Sequence, residues 1–257
     1  MTPSPAGVPE GCKLVDLDEV DGTNAEAMRR VLGGERGPMW VITQRQMAGR
    51  GRSGRAWSSQ PGNLFASFIT ALDCPPVKAG QLSLVAGIAV IDAIRRAGDV
   101  PGLRLKWPND TLVGTAKAGG LLVESTSRLP QPGPIAVIGV GLNLVAAPDD
   151  LGRAATFLAG HGLELSPREA LCFLAQTMSD WIGIWNNGEG FAPVREAWLA
   201  RAGSLGEALT VNTAAGPVSG SFAGIDDSGA LLIDDADGRQ LSFSFGDVSL
   251  AAKDTGA

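Results

Sequence analysis

Residues 106–125, KWPNDTLVGTAKAGGLLVES, carry the reading of the fold. Lys106 closes a short strand, LRLKW, which stops at Pro108 because proline has no N–H to give a sheet ladder. Asn109 and Asp110 accept turn geometry readily. DTLV and AKAGGLLVES then face each other across Gly114-Thr115 as a hairpin. Lys117 falls on the return strand just before Gly119-Gly120, where missing side chains let a ligand come close to the backbone. A strand lysine beside two glycines can clamp an anion or a carbonyl oxygen, while turn chemistry alone also accounts for Asn109 and Asp110.

Working outward, residues 1–11 read as a flexible tail and KLVDLDEV as a strand. Thr23 and Glu26 have the spacing of a capping box at the head of a helix that ends at Gly33-Gly34. MWVITQRQ and NLFASFITAL are strands on either side of an Arg/Gly loop, and residues 81–97 are apolar all round, as in a helix buried on a sheet. PIAVIGVGLNL reads as a central strand. Ser166, Pro167 and Glu169 open a long helix towards Trp185, and FAPVREAWLARA makes another. Near residue 204 the pattern changes to short alternating runs, ALTVNT, VSGSFAGI, ALLID and RQLSFSF, separated by DDSG and DADG turns. This predicts a larger mixed α/β domain over 12–203 and a small antiparallel β domain over 204–257.

Composition excludes whole chemistries. The single histidine, His161, rules out multi-histidine metal sites, and tyrosine is absent. Three widely spaced cysteines in apolar sequence fit buried thiols in a reducing compartment. LSLVAGIAVI and PIAVIGVGLNLVAA fall short of a membrane span or are broken by Gly and Asn, and the N-terminus lacks a targeting pattern, so a cytoplasmic protein is expected. The net charge of −6 argues against a broad nucleic-acid surface. Yet Arg45, Arg50, Arg52 and Arg55 lie in residues 44–55 with no acid, and taking out these four positive charges leaves −10 on the rest. Lysine is scarce, with only Lys13, Lys78, Lys106, Lys117 and Lys253.

GRGRSG at 49–54 matches G-x-G-x-x-G in letters, but AWSSQPGN follows it where a dinucleotide fold needs a helix. What it offers is guanidinium forks on a backbone able to wrap an anion. DGTN at 21–24 places polar side chains at a helix N-terminus, and GVGLN at 139–143 ends a strand.

In this order, DGTN, GRGRSGRAW, KWPND with KAGGLLVE, and GVGLN resemble the biotin protein ligase family over roughly residues 13–250. The resemblance implies an α+β fold. A mixed sheet packed with helices, like the class II synthetase catalytic domain, would be followed by a small SH3-like β-barrel. It implies formation of biotinyl-5′-AMP from biotin and ATP with Mg²⁺, then transfer of biotin to a lysine of a biotin carboxyl carrier domain, such as that of acetyl-CoA carboxylase. Catalytic roles would fall to Lys117, Arg50, Arg52 and Asp110. Biotin would lie against Gly22, Thr23, Asn24, Gln46, Arg50, Gly51, Arg52 and Lys117. ATP or the adenylate would lie against Arg52, Arg55, Trp57, Lys106, Asn109 and Asn143. Gly22 stands where the family usually has Ser, removing one hydrogen bond to the ureido ring, and Ser53 stands where a third Arg is frequent. With about a dozen residues before the catalytic domain, a monofunctional ligase without a DNA-binding domain is expected. Its partners would be the carrier and a second copy in a homodimer, not nucleic acid or membrane. Two other readings stand beside it: a lipoate- or octanoate-transferring relative, and a non-catalytic single-stranded RNA module. The second is weakened by Asp226, Asp227, Asp234, Asp235 and Asp237 in the C-terminal segment.

Overall fold

The computed structural model describes residues 7–127, 133–148 and 154–250. Residues 1–6 of the expected tail and 251–257 of the expected C-terminal domain lie outside the described residues. The order is β1 (Lys13–Val20), α1 (Thr23–Leu32), β2 (Met39–Gln46), β3 (Leu64–Ala71), α2 (Leu82–Ala97), β4 (Leu103–Lys106), β5 (Asp110–Val113), β6 (Ala116–Thr126), β7 (Ile135–Leu142), α3 (Pro167–Trp185) and α4 (Phe191–Leu199). Seven strands form one sheet in the order β1-β2-β3-β7-β6-β5-β4, with β1 parallel to β2 and every other neighbouring pair antiparallel. Both faces of β7 are buried, which is why its sequence is a near-continuous apolar run.

Helices cover both faces. On one side α2 and α3 pack over a large core that includes Ile88, Ile91, Leu105, Leu121, Ile138, Val140 and Leu174. The helical run Pro76–Ala97 is long and apolar enough by length and composition to cross a membrane, contrary to the reading of its sequence, but 72% of that window is buried inside the protein. It is the helix on which the sheet packs. On the other side α1 sets Ala27 and Val31 against Met39, Val41, Ile69, Ile135 and Val137. Along β7 this second face then changes character, as the alternate positions after Ile135 and Val137 are Gly139 and Gly141.

The capping box expected at Thr23 and Glu26 does not form. Gly22 occupies the N-cap with no side-chain cap, and α1 begins at Thr23 itself. Glu26 instead pairs with Arg29 and Arg30 at 2.9 and 2.8 Å, and the Thr23 hydroxyl turns towards β2 and β3. By contrast Ser166 and Glu169 do form a capping box, with Pro167 at the first helical position of α3.

After α4 come β8 (Ala208–Thr213), β9 (Gly216–Ile225), β10 (Leu231–Asp234), β11 (Gln240–Phe243) and β12 (Asp247–Leu250). They make a five-stranded antiparallel sheet in the order β11-β10-β9-β8-β12. The last of them had no counterpart in the sequence reading. This sheet docks on the KWPND turn: Lys106 Nζ donates to the Val248 carbonyl at 2.9 Å, Trp107 Nε1 to that of Gly229 at 3.1 Å, and Arg104 pairs with Glu207 at 2.8 Å.

Candidate active site

The open half of the α1 face is a floor built across β3, β7 and β6. One row pairs Ser67 with Gly139 and Gly139 with Leu122, and the next pairs Phe65 with Gly141 and Gly141 with Gly120. Its glycines carry what lies on them. A Cβ on Gly139 would fall 2.3 Å from Asn24 Oδ1, one on Gly141 2.5 Å from the Trp57 indole, and one on Gly120 2.9 Å from Lys117 Nζ.

Lys117 reaches this floor because of a bulge. The β5–β6 register shifts between Thr111↔Gly119 and Leu112↔Lys117, leaving Ala118 extra on β6. Strict alternation would put Lys117 and Gly120 on opposite faces, and the inserted residue brings the lysine round to Gly120. Lys117 is buried, as is Asp110, whose Oδ1 accepts from Lys117 Nζ. Asp110 Oδ2 accepts from Lys106 Nζ at 2.9 Å. Burial pushes the Asp110 pKa up, but the two ammonium groups and their hydrogen bonds outweigh it and hold the carboxyl below its ordinary value.

The arginine loop is a small hairpin. Arg50 bridges Ala56, Gly51 N donates to the Arg55 carbonyl at 2.7 Å, and Trp57 N donates to that of Gly49 at 2.9 Å. Ser53, with φ 55°, and Gly54 with φ 72° make its left-handed tip. Arg52 points inward: one nitrogen donates to Asn109 Oδ1 at 3.4 Å and another to the Gly246 carbonyl at 3.1 Å, with its guanidinium 5.3 Å from the Phe245 ring centroid. Asp247 pairs with Arg55 and lies 3.6 Å from Arg52. The Trp57 indole lies 5.4 Å from Lys117 Nζ, and its own Nε1 is buried with no hydrogen-bond partner. Arg50 is exposed, and Arg45 belongs elsewhere, paired with Glu19 at 3.0 Å.

Polar groups close the α1 end. The Thr23 N–H donates to Gln46 Oε1 at 2.9 Å, and Thr23 Oγ1 lies 2.8 Å from Ser67 Oγ. Asn24 donates to the Leu122 carbonyl and to Glu124. At the other end Asn143 is buried, with its N–H on the Ala118 carbonyl at 2.8 Å and its amide on the Thr156 carbonyl at 3.0 Å. The structure thus gathers Thr23, Asn24, Gln46, Trp57, Lys117, Asp110, Lys106, Asn109 and Arg52 on and beside the glycine floor. Gly22 lies beside Gln46, Gly51 and Arg55 bond within the arginine hairpin with Arg55 drawn to Asp247, and the side chain of buried Asn143 is engaged with Thr156. Sequence reasoning missed Ser67, which looks like any serine in an apolar strand. It also missed Asp247, which is 192 residues from Arg55.

A buried lysine, a half-buried one and an arginine loop beside a glycine floor have the charge and the open backbone that suit a small anionic ligand. Residues 31–143 match the Biotin/lipoate A/B protein ligase family and residues 204–251 the biotin protein ligase C-terminal domain. The chain is similar to a biotin–[acetyl-CoA-carboxylase] ligase of Paracoccus denitrificans, with 39% identity over 88% of this chain and 95% of that protein. It is also similar to one from Mycobacterium tuberculosis, with 32% identity over 94% and 91%. The biotin protein ligase of Aquifex aeolicus, solved with biotin and ATP, superimposes with a TM-score of 0.77. That pair shares 25% identity over 93% of this chain and 99% of that one. The chain belongs to the biotin protein ligase family.

Proposed function

We propose that this cleft joins biotin to ATP and passes it to a carrier lysine. The protein is an ATP-dependent biotin protein ligase, and the biotin carboxyl carrier domain of acetyl-CoA carboxylase or a related biotin enzyme is the acceptor. In the first step a biotin carboxylate oxygen bonds to the α-phosphorus, the bond to the β-phosphate oxygen breaks, and pyrophosphate leaves. In the second the carrier's ε-amine bonds to the acyl carbon, the bond to the phosphate oxygen breaks, AMP leaves, and the amine proton passes to solvent.

Both reactants of the first step are anions, so their mutual repulsion is the barrier that cations must offset. The observation that carries the reading is the convergence of Lys117 and Arg52 on the Asn109-Asp110 turn beside the glycine floor, Lys117 paired with Asp110 and Arg52 donating to Asn109 Oδ1. Lys117 serves the biotin carboxylate and α-phosphate, and Arg52, with Arg50 and the Gly51 backbone, closes from above. Gly22, Thr23 and Gln46 hold the ureido ring. Arg55, Trp57, Lys106, Asn109 and Asn143 serve the nucleotide. Asp110 acts by positioning, since a carboxylate held below its ordinary pKa between two ammonium groups is a poor base.

Mg²⁺ enters with ATP and neutralises its phosphates. Among the described residues no three carboxylate, thiol or imidazole groups gather as metal ligands, and no step here is routed through the ion.

Biotin-dependent exchange of labelled pyrophosphate into ATP tests the first step. Arg52→Ala is expected to lower its rate on the order of 100- to 1,000-fold while leaving the circular dichroism spectrum unchanged. Exchange at the wild-type rate in this variant removes Arg52 from the machinery. Exchange supported by lipoate or octanoate in place of biotin overturns the choice of acid.

A further inference from the structure

Strand β7 ends at Leu142, which pairs with Gly119. Two residues away on β6, Lys117 lies past the end of that pairing, and the chain from Ala154 to Thr156 takes the place of β7 there. This strap runs parallel to β6 and meets it in a single bridge, Ala155 to Lys117. The Lys117 N–H donates to the Ala154 carbonyl and the Thr156 N–H donates to the Lys117 carbonyl, each at 2.9 Å. Both main-chain groups of the buried lysine therefore bond to the strap. The bulge at Ala118 sets the face that Lys117 serves, and the strap holds the backbone from which it reaches.

Thr156 also holds Asn143. Its carbonyl accepts from Asn143 Nδ2 at 3.0 Å, and two residues on, Leu158 N donates to the Asn143 carbonyl at 3.0 Å. A carbonyl only accepts, so the buried amide has one orientation, with its nitrogen and not its oxygen on the strap. A single residue thus joins the backbone under Lys117 to the side chain of Asn143.

What fixes Thr156 is the one histidine of the chain. Thr156 Oγ1 lies 2.8 Å from His161 Nε2, across a 3-10 turn over Leu158–His161 that ends at Gly162 in the left-handed region, φ 85°. A hydroxyl donates to a bare ring nitrogen and accepts from a protonated one, so this bond stands in either charge state of the imidazole. A histidine built as a base has a carboxylate on its other nitrogen to orient it. Among the described residues His161 bonds to Thr156 and to no carboxylate. The ring is a strut across the loop.

We infer that Thr156 and His161 are positioning residues whose hydrogen bond locks the Ala154–Thr156 strap, and that the strap holds Lys117 and Asn143 in one fixed relation for the reacting carboxylate and the nucleotide. The inference rests on the biotin ligase reading for what Lys117 and Asn143 do. It adds the part of the chain that holds both. Displacing a reacting group by about 1 Å can cost about 100-fold in rate, so a loosened strap shows in turnover before it shows in stability.

Two measurements on His161→Ala and Thr156→Val test it, since either change removes the lock and leaves the main-chain bonds of the strap. Amide hydrogen exchange at Lys117 and Thr156 should quicken about three- to tenfold, as local opening no longer breaks that hydrogen bond, while the amides of β3 and β7 should hold. In biotin-dependent pyrophosphate exchange the KM for ATP should rise and kcat should fall, by about three- to tenfold apiece. Biotin affinity without ATP should stay within about twofold of the wild type. His161→Gln, whose amide can meet the hydroxyl, should recover most of the loss, and it separates the lost bond from lost bulk. Unchanged amide exchange at both positions, or wild-type pyrophosphate kinetics in both folded variants, overturns the inference. So does a defect confined to biotin transfer from preformed biotinyl-5′-AMP to the carrier, which would make His161 a base for the acceptor amine. No biotin-dependent pyrophosphate exchange in the wild type overturns the ligase reading instead, and the amides still report on the lock.

Discussion

At the scale of the residue, Thr23 shows how a local rule yields to the site. Its spacing from Glu26 fits a capping box, yet the helix begins one residue earlier and the hydroxyl is spent on Ser67 and Gln46. The N-cap is Gly22, whose extended backbone any residue can adopt and where a Cβ would find nothing nearer than 3.7 Å. Gly22→Ser is therefore expected to raise stability by a few tenths of a kcal/mol through capping and to lower the KM for biotin, measured by thermal melting and pyrophosphate exchange. A rise in KM would show that the pocket needs the space. Asp110 makes the opposite case, a residue that turn chemistry explained and packing re-employed. Asp110→Asn takes away the carboxylate shared by half-buried Lys106 and buried Lys117 and should cost about 3–5 kcal/mol. The native carboxyl titrates below its unfolded value, so its contribution is complete above the unfolded carboxylate range near pH 4 and fades as the pH falls through the lowered folded value. Urea unfolding of both proteins across pH 3–7 should show the gap wide at neutrality and narrowing in acid.

At the scale of the element, β7 and β6 carry most of what was legible. The hairpin Asp110–Val113 with Ala116–Thr126, the central strand Ile135–Leu142 and the long capped helix Pro167–Trp185 all stand where apolar runs and turn residues place them. The bulge at Ala118 was not legible, because an inserted residue leaves no mark in a run of small and apolar side chains. It nevertheless decides which face Lys117 serves. The glycines Gly120 and Gly141 were visible, but not the indole resting on them. Because Trp57 Nε1 is buried without a partner, part of its packing is offset by a desolvation cost of about 1–3 kcal/mol. Gly141→Ala would set a Cβ 2.5 Å from that ring, so Trp57 must leave the floor. The expected outcome is loss of biotin binding in calorimetry with the melting temperature little changed. Retained affinity would show that biotin avoids this row.

At the scale of the whole molecule, the cationic loop is not left to the ligand. Three of its four arginines divide between Glu19, which takes Arg45, and Asp247 of the C-terminal sheet, which takes Arg52 and Arg55, while Arg50 stays exposed. The acid absent from residues 44–55 comes from the far end of the chain. The Arg55–Asp247 pair is half-exposed and so worth at most about 1 kcal/mol, enough to order the loop and weak enough for a phosphate to replace. Asp247→Ala should speed tryptic cleavage within residues 50–55 of the ligand-free protein up to about fivefold, and biotin with ATP should restore protection. Equal cleavage rates would detach the C-terminal sheet from control of the loop.

The sequence by itself determined most of the elements and the family, because hydrophobic period, turn residues and motif order act over short spans. It also named most of the residues in the cleft. Only the tertiary structure decided which way they face and what they touch: the bulge under Lys117, the Asn24 cradle on Gly139, Ser67 behind Thr23 and Asp247 on the arginines. The reason is physical. Apart from the bulge, which is local to one hairpin, these contacts join strands and loops 44 to 192 residues apart, and a polar side chain's partner is set by where the packed core leaves room for it, not by its neighbours in sequence.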